Sequence, residues 1–592
     1  MGDNMMKLFL EKIEEIRNLF VFNIDYRFIL YAIENNKKEL GISEKSFGEY
    51  YFQLIKNEKR KGTVYTPIEL TNYLIMNTIS KDKIIENPFL KICDPACGVG
   101  NIIITCYRYL KKIYTDNLEI INKKHNLELN KDNINLHIVK NNIYGFDVDG
   151  IALYILIIDL FVESGVVSDN FKNIDFLLYV KNKSFDIILG NPPYIGHKLI
   201  DKEYSLILKK KYSDVFKDKG DISYCFFQKG LELLRDRGKL GFITSRYFIE
   251  AQSGIELREY LKENSCISKI VDFYGVRPFK GFGIDIVIVF LEKKKIKNDI
   301  IEIIKPSHNK AKKKEFFKYI NIEGNDSCKR FYIKGNELNS KAWLLIDEDE
   351  RNIIKKIENK CSFTLNDICM SYQGIITGCD KVFIVDREII SENNIEKELI
   401  KPWIKSSNIK KHNITSSSKY LIYSNMIDKE EKFPKAIKYI ERMRDRLENR
   451  RECIRGYRKW YELQWGRDMN IFEQNKIVFP YKSDTNRFAM DKGNYFSADV
   501  YSLVLKEECN YSYDFLLFLL NSRLYEFYFK TFAKKLGENL FEYYPNNLMK
   551  LFLPDKFTQN YEDENALYEY FSLSDIEIDL IQKTIDNYQN KL

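Results

Sequence analysis

The sequence predicts an α/β protein, and three stretches carry that expectation. Residues 184–189 form an apolar run that stops at Gly190-Asn191-Pro192-Pro193-Tyr194, which reads as a buried strand delivering a rigid loop to its carboxyl end. Residues 88–93 read as a short strand, and Asp94-Pro95-Ala96-Cys97-Gly98-Val99-Gly100-Asn101 follows as a small-residue turn into an apolar helix over 102–113. Downstream, a helix over 225–234, a strand over 238–244 and strands over 270–273 and 284–291 continue the alternation, the last two as a terminal hairpin.

The two loops differ in what they can hold. Pro192 and Pro193 fix their own φ angles and restrict the residues before them, so the Asn191 side chain and the Pro192 carbonyl are held in one orientation beside the Tyr194 ring. Two fixed acceptors next to an aromatic face suit a planar amino group. Taken alone, Asn-Pro and Pro-Pro are also ordinary turn punctuation, and the upstream turn supplies the second signal. There Gly98 and Gly100 let the backbone approach a ligand closely, and Asp94 places a carboxylate where a strand ends, although the dinucleotide Gly-x-Gly-x-x-Gly pattern is absent.

From the amino terminus, residues 1–60 alternate apolar and charged positions at helical spacing, as in Leu8, Ile13, Ile16, Leu19 and Phe20, and predict a small helical cap. Gly62-Thr63-Val64-Tyr65-Thr66-Pro67 leads into a helix over 68–79, with Thr66 as N-cap and Pro67 in the first turn. The Asn- and Lys-rich residues 117–140 read as a surface excursion. Ile143-Tyr144-Gly145-Phe146-Asp147-Val148-Asp149 reads as a strand ending in acids, where a carboxylate can accept from both hydroxyls of a ribose and Asp149 suits a helix N-cap. Its distance from Gly100 exceeds the roughly 20 residues usual in dinucleotide folds, so the intervening segment must loop away.

With 592 residues the chain is too long for one ordinary core, and 45% hydrophobic with 30% charged residues is the composition of a soluble globular protein. No apolar run is long enough to span a bilayer and the start does not read as a signal peptide, so the expected location is cytoplasmic. Eleven cysteines without a Cys-x-x-Cys pair, and five histidines without a ligand pattern, predict reduced thiols and no metal site. A net charge of +8 permits a polyanionic partner, and the lysine runs at 293–297 and 310–314 with the arginine-rich residues 442–467 place much of the positive charge in the second half.

Asp-Pro-Ala-Cys-Gly-Val-Gly followed by Asn-Pro-Pro-Tyr resembles the S-adenosylmethionine and catalytic motifs of the N6-adenine DNA methyltransferases. The resemblance extends over about residues 60–555 and points to the gamma class, most similar to its solitary clostridial members. It implies a Rossmann-like S-adenosylmethionine-dependent methyltransferase sheet, with domains at 1–60 (helical cap), 61–300 (catalytic) and 301–592 (a mixed α+β target recognition domain). Tyr372-Gln373-Gly374, Lys401-Pro402-Trp403 and Leu519-Leu520-Asn521-Ser522 resemble segments of that last domain.

The resemblance also assigns roles. Tyr65, Thr66 and Pro67 would pack against the methionine end of the cofactor, with Asp94, Ala96, Gly98 and Gly100 cradling it. Asp147 would take the ribose hydroxyls, Asp175 the adenine amino group with Phe176 beside the ring, and Asn191 would border the cofactor. Asn191, Pro192, Pro193 and Tyr194 would be catalytic, with a flipped adenine stacked on Tyr194 and covered by Phe279, Phe282 being the other aromatic of that loop. Arg455, Arg458 and Lys459 would contact duplex DNA, as would Arg450, Arg451, Tyr457 and Trp460, or they form an ordinary surface helix and its end.

No metal is implied, the enzyme would be monomeric on DNA, and too little chain precedes residue 60 for a fused nuclease. Asn-Pro-Pro-Tyr also occurs in protein-glutamine and ribosomal RNA methyltransferases, and N4-cytosine methylation is a closer alternative. The Tyr-Thr-Pro segment and the long second half favour DNA, and Tyr rather than Trp after the prolines favours adenine. A non-catalytic DNA-binding module on a degenerate fold is the reading from another class, opposed by two intact motifs.

Overall fold

A computed structural model describes residues 2–21, 25–55, 65–279, 283–294, 300–307, 315–338, 342–507, 509–536, 540–555 and 563–589. Gly62 to Val64, Phe282, Lys295, Lys297 and Lys310 to Lys314 lie outside them. The chain divides into two compact units, Met1–Leu345 and Ile346–Leu592.

The first unit is built on a large sheet. Its strands are β1 (Ile92–Asp94), β2 (Ile143–Asp147), β3 (Phe171–Asn173), β4 (Phe185–Gly190), β5 (Leu234–Ser245), β6 (Cys266–Asp272), β7 (Ile286–Glu292), β8 (Ile300–Pro306) and β9 (Cys328–Lys334). They lie in the order β3-β2-β1-β4-β5-β7-β6-β8-β9. Neighbours from β3 through β5 are parallel, and β7 runs antiparallel to both β5 and β6. The central strands are near-continuous apolar runs because helices cover both faces, as parallel sheets require. Ile92 is opposite Ile143 on one side and Ile187 on the other, so the chain order reverses at β1 and β4, and the connections leaving their carboxyl ends diverge to open a crevice.

Three expectations are corrected here. Residues 117–140 are not a purely surface excursion: Leu118–His125 and Ile134–His137 are helices whose Ile121 and Ile134 enter the core. The β6–β7 hairpin does not end the sheet, because β8 pairs parallel to β6 and β9 antiparallel to β8. A boundary at 300 therefore falls inside the sheet, and the unit runs on to Leu345.

The amino-terminal residues form the helices Gly2–Val21, Tyr26–Glu39 and Phe47–Ile55, with Phe9 rather than Leu8 turned inward. Their apolar faces share a core with Ala152, Ile155, Ile158 and Phe161 of the helix Gly150–Ser164. Asp159 of that helix is buried and accepts the Phe47 and Gly48 N–H groups at 3.0 and 2.9 Å, which fixes the start of Phe47–Ile55.

The second unit is mixed α+β. Cys369–Gln373, Val500–Leu505, Lys476–Pro480 and Ala489–Asp491 form one four-stranded sheet. Ile384–Val385, Tyr420–Ile422, Ile400–Ile404 and Tyr495–Phe496 form another, with Trp403 in the core between its elements. Lys476 and Asp491, paired across the first sheet at 2.7 Å, are both buried. The helices Tyr513–Asn521 and Arg523–Phe532 follow, and Asn521 satisfies the Phe488 N–H and carbonyl through its amide. Among the described residues no helix is long and apolar enough to cross a membrane.

Candidate active site

The loops leaving β1 and β4 frame one cavity of about 410 Å³. Its wall contains Asp94, Ala96, Gly98 and Gly100 from the turn after β1, Asp147 from the end of β2, and Asp175 and Phe176 from the segment after β3. Tyr65, Thr66, Asn191 and Pro193 also line it, whereas Pro67, Pro192, Tyr194 and Phe279 lie outside its lining.

The turn after β1 is held by its backbone. The Ala96 N–H donates to Asp94 Oδ1 at 3.1 Å, the Cys97 N–H to the Phe146 carbonyl at 3.0 Å, and the Gly98 N–H to Asp147 Oδ2 at 2.8 Å. Asp147 Oδ1 accepts the Asp149 N–H at 2.8 Å, so one carboxylate braces the cradle against the next loop. Gly100 has φ +90°, and a Cβ there would stand 2.1 Å from Leu156 Cδ1, which excludes any other residue without repacking.

Asp94 is buried and its Oδ2 has no hydrogen-bond partner among the described residues. Burial pushes its carboxyl up to about 7 against the Ala96 N–H, and the Asp147 charge adds to the rise. An unpaired buried carboxylate oxygen on a cavity wall is a vacant acceptor for a cationic or N–H-bearing ligand group. Burial also raises Asp147, opposed by the Asp149 and Gly98 N–H groups.

Asp149 caps Gly150–Ser164 through the Ile151 and Ala152 N–H groups and accepts the Tyr51 hydroxyl at 3.4 Å. Asp175 caps a short helix through the Leu177 and Leu178 N–H groups, and its other oxygen accepts the Tyr204 hydroxyl at 2.7 Å. Phe176 is 2% exposed, its ring parallel to Phe226 with centroids 5.9 Å apart.

On the β4 side, a Cβ on Gly190 would stand 2.8 Å from Asp94 Oδ1, so glycine is what lets the strand end lie against the first turn. Asn191 Nδ2 donates to Thr66 Oγ1 at 3.1 Å, and the Tyr194 hydroxyl donates to Asn191 Oδ1. Thr66 is thus not the N-cap expected of it. The helix Ile68–Thr78 has Pro67 as its N-cap, and the Thr66 hydroxyl holds the Asn191 amide instead. Phe279 is 4% exposed and belongs to the apolar cluster against which Tyr194 packs, so it is core in this state rather than a free ring face.

Sequence reasoning missed Tyr51, Phe52, Ile195, Tyr204 and Phe226, all of which line the cavity. Phe52 lies 5.2 Å from the Tyr65 ring, centroid to centroid. Ser46-Phe47-Gly48-Glu49 closes a reciprocal capping box that could have located this helix start, though nothing in it signals a pocket.

In the second unit, Arg455 and Lys459 are exposed, and Arg458 is half-buried with its guanidinium 5.9 Å from the Trp465 ring and 4.0 Å from Glu462. Arg450 is corrected: its guanidinium donates to the Leu447, Thr377, Trp460 and Glu462 carbonyls at 3.0, 3.3, 2.8 and 2.8 Å, and is structural.

Three family models match the chain: an MmeI DNA-methyltransferase domain over 81–178, an Eco57I restriction-modification methylase over 167–279 and a TaqI-like C-terminal specificity domain over 401–553. The type II methyltransferase M.BstVI of Geobacillus stearothermophilus is 24% identical over 89% of this chain and 98% of its own length. M.BanIII of Aneurinibacillus aneurinilyticus, also a type II methyltransferase, is 24% identical over 80% of this chain and 86% of its own. The fold is that of the type IIL restriction-modification enzyme MmeI, solved with DNA, which superposes with a TM-score of 0.59 at 14% identity over 93% of this chain and 80% of that one.

Proposed function

We propose that the chain is a DNA methyltransferase of a type II restriction-modification system, as its relatives M.BstVI and M.BanIII are, and that it transfers a methyl group from S-adenosylmethionine to N6 of a flipped adenine in duplex DNA. The single observation that carries this reading is the shared cavity. One wall carries the unpaired Asp94 oxygen and the Asp147 and Asp175 carboxylates, and the opposite loop brings the Asn191 amide to the same space.

The residues present fit the cofactor. Asp94 Oδ2 is an orphan acceptor suited to an amino group, Gly98 and Gly100 keep the cradle clear of side chains, and Asp147 retains lone pairs for ribose hydroxyls. Asp175 would accept from the adenine amino group, its orientation fixed by the Tyr204 hydroxyl, and Phe176 would flank the ring. When bound, S-adenosylmethionine supplies the electrophilic methyl group. The sheet around this cavity is read as the Rossmann-like sheet of these enzymes.

Adenine N6 is a poor nucleophile because its lone pair is delocalised into the ring. Asn191 Oδ1 and the Pro192 carbonyl would accept its two hydrogens and aim the lone pair, an orientation effect that needs no nucleophilic side chain. Before the base arrives, the Tyr194 hydroxyl occupies Asn191 Oδ1, so seating the base exchanges one donor for another while the Thr66 oxygen keeps hold of Nδ2. The Tyr194 ring then stacks on the base.

Residues 346–592 would read the DNA site, with Arg455 and Lys459 exposed for phosphates. We place no nuclease in this activity, in line with M.BstVI, a methyltransferase matched over 98% of its length. Incubation with methyl-labelled S-adenosylmethionine and duplex DNA, followed by nucleoside analysis, tests the reading. N6-methyladenine is the expected product; N4-methylcytosine would move the assignment to cytosine, and magnesium-dependent cutting would refute a solitary methyltransferase.

A further inference from the structure

Residues 450–460 of the second unit form a tip tied down by hydrogen bonds, on which Ile454 and Tyr457 face solvent while Trp460 packs against the core. The Gly456 N–H donates to the Cys453 carbonyl and the Tyr457 N–H to the Glu452 carbonyl, both at 2.9 Å, with Gly456 at φ +73°. This paired closure ends the short helix Arg451–Ile454, and in such closures the residue in the Tyr457 position commonly packs back on the helix it terminates. Here that residue is 71% exposed, and Ile454, one turn earlier, is also 71% exposed. The Arg450 guanidinium staples the base of the tip, bonding the Thr377, Trp460 and Glu462 carbonyls. The backbone is thus tied down while two large apolar side chains are left uncovered.

The surroundings select the partner. Residues 442–467 carry nine Lys and Arg against four Asp and Glu. Arg451 and Arg455 flank Ile454 and are exposed, and Arg455 makes no ion pair among the described residues. A protein interface needs roughly 800 Å² from each partner, far more than two side chains provide. Between two base steps, by contrast, single apolar side chains suffice, and the flanking phosphates need cations beside them.

We propose that Ile454 and Tyr457 form a wedge that enters between base steps of duplex DNA while Arg451 and Arg455 hold the neighbouring phosphates. This rests on the reading that duplex DNA is the substrate and adds to it a way of deforming the duplex. The wedge supplies stacking, which is insensitive to salt, and the arginines supply the salt-dependent part.

The test uses the full chain and a fluorescein-labelled mixed-sequence duplex titrated at several salt concentrations. Ile454→Ala with Tyr457→Ala should weaken binding about 10- to 100-fold with the salt slope unchanged, as loss of stacking requires. Arg451→Ala with Arg455→Ala should instead flatten the slope by about one to two. As a readout that does not depend on a loss, the indole introduced by Tyr457→Trp should be strongly quenched at saturating duplex. Unchanged affinity in the first double variant, or an indole unmoved by saturating duplex, overturns the wedge and leaves the tip as a protein-facing surface. Failure of the unsubstituted chain to bind duplex at all removes the DNA reading and the wedge together.

Discussion

After β1 the chain turns with its backbone, and after β4 it turns with side chains. In the first loop the N–H groups of Ala96, Cys97 and Gly98 each end on an acceptor, so its shape is set before any ligand arrives. In the second, Pro192 and Pro193 have no N–H to give, and order comes from ring geometry and from the hydroxyls of Thr66 and Tyr194 on the Asn191 amide. The N–H groups of the first loop are already paired without a ligand. The second is built so that one hydrogen bond can be traded for another, which is what a site needs if it must accept a base that is elsewhere for most of the cycle.

That contrast can be broken or sharpened experimentally. The largest effect is expected from Asn191→Ala, which should reduce methyl transfer at least about 100-fold, the scale for deleting a pre-aimed hydrogen-bonding group. Cofactor affinity measured by calorimetry should hardly change, and appreciable turnover would remove Asn191 from the chemistry. Gly100→Ala should act through the fold, because the added Cβ meets Leu156 Cδ1 at 2.1 Å and the backbone stays left-handed. A loss of about 1–3 kcal/mol in thermal or denaturant unfolding is expected, the usual range for overpacking.

Next comes a dependence on pH. The Asp94 carboxyl is raised to about 7 from its ordinary value near 4, so between those values the ligand-free folded protein holds a proton that the unfolded chain has released. Stability should therefore fall as pH rises through that window, with the penalty fully present above about 7, opposite in sign to a salt-bridged carboxylate. Asp94→Asn should remove that slope, about 2–3 kcal/mol between pH 5 and 8, while weakening the cofactor site. Equal pH profiles for the two proteins would mean that Asp94 is ionised throughout. The smallest effect is expected from Tyr194→Phe: the ring that stacks is kept, so turnover should change less than about fivefold. A loss as large as that of Asn191→Ala would make the hydroxyl part of the reaction.

What could be read from the sequence was whatever is local. Asp94, Gly98, Gly100 and Asn191 announce themselves because strand, turn chemistry and motif lie within a few residues of one another, and the structure gathers them at one cavity. Tyr51 and Phe52 arrive from a helix whose position depends on Asp159, more than a hundred residues away, and no local pattern reports that. Arg450 and Arg455 look alike in sequence. They part because the Thr377, Leu447, Trp460 and Glu462 carbonyls, the first of them on a distant segment, claim the Arg450 guanidinium. The domain boundary expected at 300 coincides with the start of β8, which pairs with β6 within the same sheet, because pairing partners are not encoded in composition.

The strands β8 and β9 also bear on how such a protein could be recombined. A chimaera joined at residue 300 would strip the outer two strands from the sheet and expose the β6 edge, an invitation to aggregation. A crossover between Leu345 and Ile346 leaves that sheet whole and carries the 401–553 segment intact to a new host. If specificity in this lineage has been exchanged by recombination, the scars should fall near that second junction.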